Sequence, residues 1–156
     1  MRIAVLEDDP AQAELLMAWL KNTGHECSVF HQGRKLISAL THDTLDLLIL
    51  DWNLPDLSGI DVLAWARSNL SWRIPVIFIT CRSAEPDIVY ALESGADDYM
   101  KKPVKQFETL ARVSALERRS RPHQDNQGTL ELSPYCFDLQ NGSVTCNDED
   151  IQLTRK

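Results

Sequence analysis

The sequence predicts an α/β domain, a doubly wound parallel sheet with helices on both faces, followed by a short β-rich segment. Three observations carry this prediction. Over residues 2–119 short apolar runs alternate with stretches of helical period, the order that builds βαβ units. The runs are almost continuously apolar, as strands covered on both faces are. Near residue 119 the composition shifts to RRSRPHQDNQG (118–128), and no helical period returns after it.

Each element has its own signal. Strands are expected at 2–6 (RIAVL), 27–30 (CSVF), 46–50 (DLLIL), 75–80 (PVIFIT) and 97–101 (DDYMK). Between them lie helical stretches at 10–21, 34–41, 58–69, 85–94 and 104–119. In the first, Ala11, Leu15, Leu16, Trp19 and Leu20 share the face expected to meet the sheet. Pro10 suits a first helical turn, Ser58 an N-cap, and Gly24 and Gly95 follow helix ends. The polar stretch reads as a linker over 120–128. After it, β-like runs at 129–132, 135–139, 143–146 and 151–153 are punctuated by Asn141-Gly142, a hairpin signal. Four short strands in so little chain form a marginal unit.

Composition excludes several classes. The 156 residues are 44% apolar with a net charge of −7, so a core is expected and a basic nucleic-acid surface is not. No run approaches the roughly 18 to 20 apolar residues of a membrane span. MRIAVLEDD enters a strand directly, without a secretory h-region. A cytoplasmic protein is expected. Cys27, Cys81, Cys136 and Cys146 lack CxxC spacing and are expected as free buried thiols.

The polar groups collect at one rim. In open α/β sheets ligands bind beyond the carboxyl ends of the strands. There the first strand ends in Glu7, Asp8 and Asp9, the third in Asp51, the fourth in Thr80, and the fifth runs into Lys101 and Lys102. The second strand offers nothing comparable. Asp9 reads as a solvated loop start and Lys101 as a surface lysine. Crowded carboxylates repel one another, and a divalent cation removes the repulsion. Oxygen ligands without His or Cys favour Mg²⁺. A lysine neutralises a phosphoryl oxygen as a point charge, and an aspartate is a competent nucleophile toward phosphorus. The set suits acceptance of a phosphoryl group on a carboxylate. Trp52, directly after Asp51, is expected to be exposed or half-exposed beside the site.

The stretches IAVLEDDP, DLLILDWNLPDLSGID, PVIFITCRS and GADDYMKKP resemble the receiver domain of two-component response regulators, over residues 1–119. The resemblance implies a flavodoxin-like (CheY-like) five-stranded sheet of order 2-1-3-4-5. It implies Asp51 as acceptor from the phosphohistidine of a sensor histidine kinase. Asp8 would ligate Mg²⁺ directly, Glu7 through water, and Asn53 through its carbonyl. Lys102 would contact the phosphoryl group, with a cis bond to Pro103. Thr80 would swing toward that group and Tyr99 would follow.

The tail, GTLELSPYCFDLQNGSVTCNDEDIQLTRK, is similar to the start of an OmpR/PhoB-type effector domain, here the β platform 129–156 of an incomplete DNA-binding domain. Residues 121–156 carry three basic and six acidic side chains, so DNA is expected to be bound only through the missing part. In that subfamily an active homodimer pairs charges across the fourth helix, fifth strand and fifth helix. The candidates are Glu93, Asp98, Glu108 and Arg112. Ile88 and Ser114 stand where basic residues are usual, so Glu93 and Glu108 are expected to lack partners, and dimerisation is expected to be either weaker or more apolar through Ile88. Cys81 and Val104 replace the usual small residue and Phe.

Two other readings compete. An aspartyl-nucleophile phosphatase would carry a second acid two residues after Asp51, but Asn53 stands there, so a turnover enzyme is not expected. A receiver-like module could also act by protein–protein interaction without phosphorylation. The intact set Glu7, Asp8, Asp51, Thr80 and Lys102 argues against that.

Overall fold

The computed structural model describes residues 1–120 with their side chains and, beyond them, the backbone of four strands. The chain divides into two units, Met1–Ser120 and Arg121–Lys156. In the first, five strands alternate with five helices: β1 Arg2–Leu6, α1 Pro10–Asn22, β2 Glu26–Phe30, α2 Gly33–Leu40, β3 Leu47–Leu50, α3 Gly59–Asn69, β4 Val76–Thr80, α4 Glu85–Glu93, β5 Asp98–Lys101 and α5 Gln106–Ser120. The sheet order is β2-β1-β3-β4-β5, and every pairing is parallel. This is the doubly wound sheet that the sequence predicts, in the flavodoxin-like order that the resemblance implies.

The strand pleat sorts the core into two layers, because successive side chains point to opposite faces. Ala4, Leu6, Leu48, Leu50, Val76 and Phe78 pack with Leu36 and Leu40 of α2 and Val62 and Leu63 of α3. Ile3, Val5, Leu47, Ile49, Ile77 and Ile79 pack with Leu16 and Leu20 of α1 and Val113 and Leu116 of α5. Uninterrupted apolar strands are required because the two layers draw on alternate residues of the same strands. Among the described residues no helix is long and apolar enough to cross a membrane.

Helix starts follow the sequence signals. Asp9 caps α1, its Oδ1 accepting the Ala11 amide at 2.8 Å, with Pro10 in the first turn. Ser58 and Asp61 close a capping box at α3, an arrangement that satisfies two otherwise orphaned amides.

Several expectations need correction. On α1 the buried residues are Ala13, Leu16 and Leu20, while Ala11 is exposed and Leu15 is 47% exposed. Two apolar stripes lie side by side on this helix, and the sheet takes the 13-16-20 one. Cys81 is exposed and Cys27 half-buried, so neither is the fully buried thiol expected. Cys136 and Cys146 have no described side chains.

In the second unit β6 Thr129–Leu132, β7 Tyr135–Asp138, β8 Ser143–Cys146 and β9 Glu149–Ile151 form an antiparallel sheet in that order. The last strand begins two residues before the expected 151–153. Its register pairs Cys146 with Glu149 and Val144 with Ile151, so the strand opens on acidic residues that an apolar search passes over. The linker 120–128, beyond Ser120, and the Asn141-Gly142 turn lie outside the described residues.

Candidate phosphoacceptor site

The parallel register brings the ends of β1, β3, β4 and β5 to one rim. Leu6 aligns with Leu50, and Leu50 with Phe78. Thr80 aligns with Lys101. The next residue along β1 and β3 is then Glu7 and Asp51, while Lys102 follows β5. The Asp51 amide donates to the Leu6 carbonyl at 2.9 Å and the Lys102 amide to the Thr80 carbonyl at 2.9 Å, which extends the ladder into the site. The Lys102–Pro103 peptide is cis, as the resemblance implies.

Glu7 and Asp51 are buried, 1% and 7% exposed. Two interior carboxylates need a cation. Lys102 Nζ supplies one charge, 2.6 Å from Glu7 Oε2 and 2.5 Å from Asp51 Oδ2. Asp51 Oδ1 accepts the amides of Trp52 at 2.5 Å and Asn53 at 3.3 Å. Burial pushes the Glu7 carboxyl above the usual glutamate value, more than Lys102 lowers it. Burial pulls the Lys102 ammonium down, but its bonds to Asp51 and Glu7 outweigh that and leave its pKa raised.

One ammonium serves two carboxylates, and a third stands beside them. Glu7, Asp8 and Asp51 each offer an oxygen, all within 4.8 Å of one another. Asp8 is exposed, and among the described residues its carboxylate has no hydrogen bond or ion pair. An all-oxygen set with excess negative charge and an open edge fits a hard divalent cation. Asn53 is exposed at the same edge, its Oδ1 accepting from Arg82 Nε at 3.3 Å.

Thr80 is fully buried. Its Oγ1 accepts the Arg82 amide at 3.4 Å, and the Arg82 carbonyl accepts from the Tyr99 hydroxyl at 3.0 Å. The Tyr99 ring stacks on Phe78 at 6.1 Å. The Arg82 backbone thus links Thr80 to Tyr99, a link that no spacing in the sequence announces.

Trp52 is 7% exposed, not exposed as expected. Its carbonyl accepts the Gly59 amide at 2.9 Å, which curls the loop back. The ring then packs against Phe78 at 5.6 Å and Tyr90 at 6.2 Å, under the Arg82 guanidinium at 4.9 Å. Gly59 fits only because it lacks a side chain: a Cβ there would lie 2.0 Å from the Asp51 carbonyl oxygen.

The predicted pairing face also differs in detail. Arg112 contacts Asp98 at 2.9 and 3.0 Å and Glu108 at 2.9 Å within one chain. Glu108 therefore has a partner one helical turn away, contrary to expectation. Glu93 is exposed and Ile88 half-buried. Ser114 Oγ accepts from Arg118 at 3.2 Å.

Comparison with known proteins agrees with the fold of residues 1–120. The response regulator receiver domain family matches residues 3–114. The DNA-binding response regulator MtrA of Mycolicibacterium smegmatis is 36% identical over 153 residues, 98% of this chain and 65% of MtrA. The sensory transduction protein RegX3 of the same organism is 35% identical over 157 residues, 99% of this chain and 68% of RegX3. The chain thus spans about two thirds of the length of these relatives. Among solved structures, the receiver domain of the Francisella response regulator 1452 superposes with a TM-score of 0.73 at 27% identity, covering 77% of this chain and 98% of that one. DrrB, an OmpR/PhoB homolog of Thermotoga maritima, gives 0.69 at 25% identity, covering 98% of this chain and 66% of DrrB. The chain belongs to the response regulator receiver domain family of two-component systems.

Proposed function

We propose that Asp51 accepts a phosphoryl group, in a Mg²⁺-dependent reaction, from the phosphohistidine of a sensor histidine kinase in the cytoplasm. The observation that carries this reading is the shared rim: three carboxylate oxygens within 4.8 Å, with Lys102 bridging Glu7 and Asp51. An Asp51 carboxylate oxygen attacks phosphorus. The P–N bond breaks as the O–P bond forms, and its electron pair returns to the kinase imidazole. Glu7, Asp8, Asp51 and the Asn53 carbonyl would hold Mg²⁺, which supplies charge to shield the phosphoryl oxygens. Lys102 is placed to turn from the carboxylate pair to a phosphoryl oxygen.

The switch follows from the bonds of Arg82. When Thr80 turns its hydroxyl to the phosphoryl group, the Arg82 amide loses its acceptor. The neighbouring carbonyl then shifts and releases the Tyr99 hydroxyl, which is free to rotate inward. This biases an equilibrium between existing states and alters the 85–119 face. Homodimerisation through Ile88, Glu93, Asp98, Glu108 and Arg112 would follow, with transcriptional control exerted through a DNA-binding effector domain. The protein acts as a phosphoacceptor rather than as an enzyme turning over a substrate.

Incubation with acetyl phosphate and Mg²⁺ tests this by intact-protein mass. The unaltered chain gains one phosphoryl group, and chelation or Asp51→Asn abolishes the gain. A chain that stays unlabelled would instead support an interaction module without phosphorylation.

A further inference from the structure

We propose that the β2–α2 turn, residues 31–34, braces the two loops that carry the candidate metal ligands and sets the spacing between them. The proposal rests on the reading of the Asp51 rim as a Mg²⁺ site. At one end His31 Nδ1 lies 2.7 Å from the Glu7 carbonyl oxygen. A carbonyl only accepts, so Nδ1 carries the proton and donates it. The Glu7 amide donates to the Phe30 carbonyl at 2.9 Å. Both backbone polar groups of Glu7 are therefore fastened to the end of β2, and Asp8 follows directly.

At the other end the amides of Gly33 and Arg34 donate to Asp56 Oδ1 and Oδ2 at 2.9 and 3.0 Å. Asp56 lies in the β3–α3 loop, whose first residues are Asp51 to Asn53. The N-terminus of α2 has orphan amides that favour a carboxylate. Its own N-cap residue, Gln32, makes no side-chain capping bond, so the cap comes from a loop more than twenty residues away. Gly33 closes the joint, since a Cβ there would lie 2.9 Å from Val62 Cγ2 and 3.0 Å from Leu57 Cβ. The turn thus sits directly against the loop it holds.

The brace joins the Glu7–Asp8 loop to the Asp51–Asn53 loop. Mg²⁺ demands near-ideal octahedral geometry, so slack between the two loops lowers affinity. His31 and Asp56 act through the backbone of other residues and are positioning residues.

Calorimetric titration of the full chain with Mg²⁺ is the test, with the thermal midpoint of each variant measured alongside. His31→Ala and Asp56→Ala are each expected to weaken binding about tenfold, the low end for groups that orient metal ligands. His31→Asn restores affinity, because its amide N–H takes the place of Nδ1–H. The double variant binds no more weakly than the weaker single one, since cutting either end slackens the same link. Unchanged affinity in either alanine variant, failure of Asn to restore it, or losses that multiply in the double variant would overturn the brace. A merely structural role would lower the midpoint without this pattern. Absence of Mg²⁺ binding by the unaltered chain would remove the metal-site reading itself, and the brace with it.

Discussion

Lys102→Met isolates the electrostatics of the rim. The Lys102, Glu7 and Asp51 side chains are 8%, 2% and 8% exposed, with contacts of 2.6 and 2.5 Å. Removing the cation strands two carboxylates. Breaking a buried pair in this way costs about 3 kcal/mol at the low end of the usual range, the end that suits a rim. For a unit the size of residues 1–120, about 0.25 kcal/mol per degree near the midpoint converts that into about 12 °C. Glu7 adds a pH signature. Its folded pKa is already raised by burial, and loss of Lys102 raises it further. The deficit is then full above that folded pKa and shrinks as pH falls through it toward the ordinary glutamate value. A divalent cation answers the same charges. Mg²⁺ at about 100 times its dissociation constant restores about 2.7 kcal/mol to the variant. The unaltered chain, where Lys102 already compensates and also repels the ion, gains less at the same concentration. Thermal unfolding followed by circular dichroism, with and without Mg²⁺ and across the acid range, is the assay. A deficit under about 1 kcal/mol, or one insensitive to both Mg²⁺ and pH, would refute this reasoning.

Three further outcomes follow from the same geometry. Gly59→Ala places a Cβ against the Asp51 carbonyl, and is expected to cost about 3 kcal/mol and to slow labelling of Asp51 by acetyl phosphate, read by thermal melts and by mass. Ser58→Ala opens the capping box of α3, and a loss of about 1 kcal/mol in urea titration is expected. Hydrogen bonds from Gln12 and Ala11 hold the Asp9 carboxyl below its usual value; at Asp56, burial raises the carboxyl, but the Arg34 and Gly33 amides outweigh it and leave it lowered. Their stabilisation is complete above the ordinary aspartate pKa and fades as pH falls through the lowered folded values. Asp56→Asn should therefore flatten part of the acid-unfolding limb.

The fold was legible because the strands are covered on both faces, which leaves unbroken runs such as Leu47–Leu50 and Val76–Thr80. The rim was legible because strand ends in such sheets converge, so Glu7, Asp51, Thr80 and Lys102 announce one another by position. Side-chain direction in loops was not. Trp52 follows a charged residue and reads as exposed, but the Gly59 hydrogen bond turns its ring into the core. Glu108 reads as unpaired because its partner is sought across an interface, while Arg112 lies one turn along the same helix. Leu15 and Leu16 are equally apolar, and only the sheet decides which is covered. The second strand looked inert because it contributes no carboxylate. The turn that follows it contributes instead, through a histidine donating to a backbone carbonyl and two amides, and no residue pattern marks such a contact.

The most direct test of the central claim is to place the acyl phosphate on one residue. Reduction of the phosphorylated chain with borohydride converts an aspartyl phosphate to homoserine, and peptide mass spectrometry then locates it. The account predicts homoserine at position 51 alone, formed only when Mg²⁺ was present during labelling. Homoserine at position 8, or a phosphate that survives reduction on a serine or threonine, would contradict it.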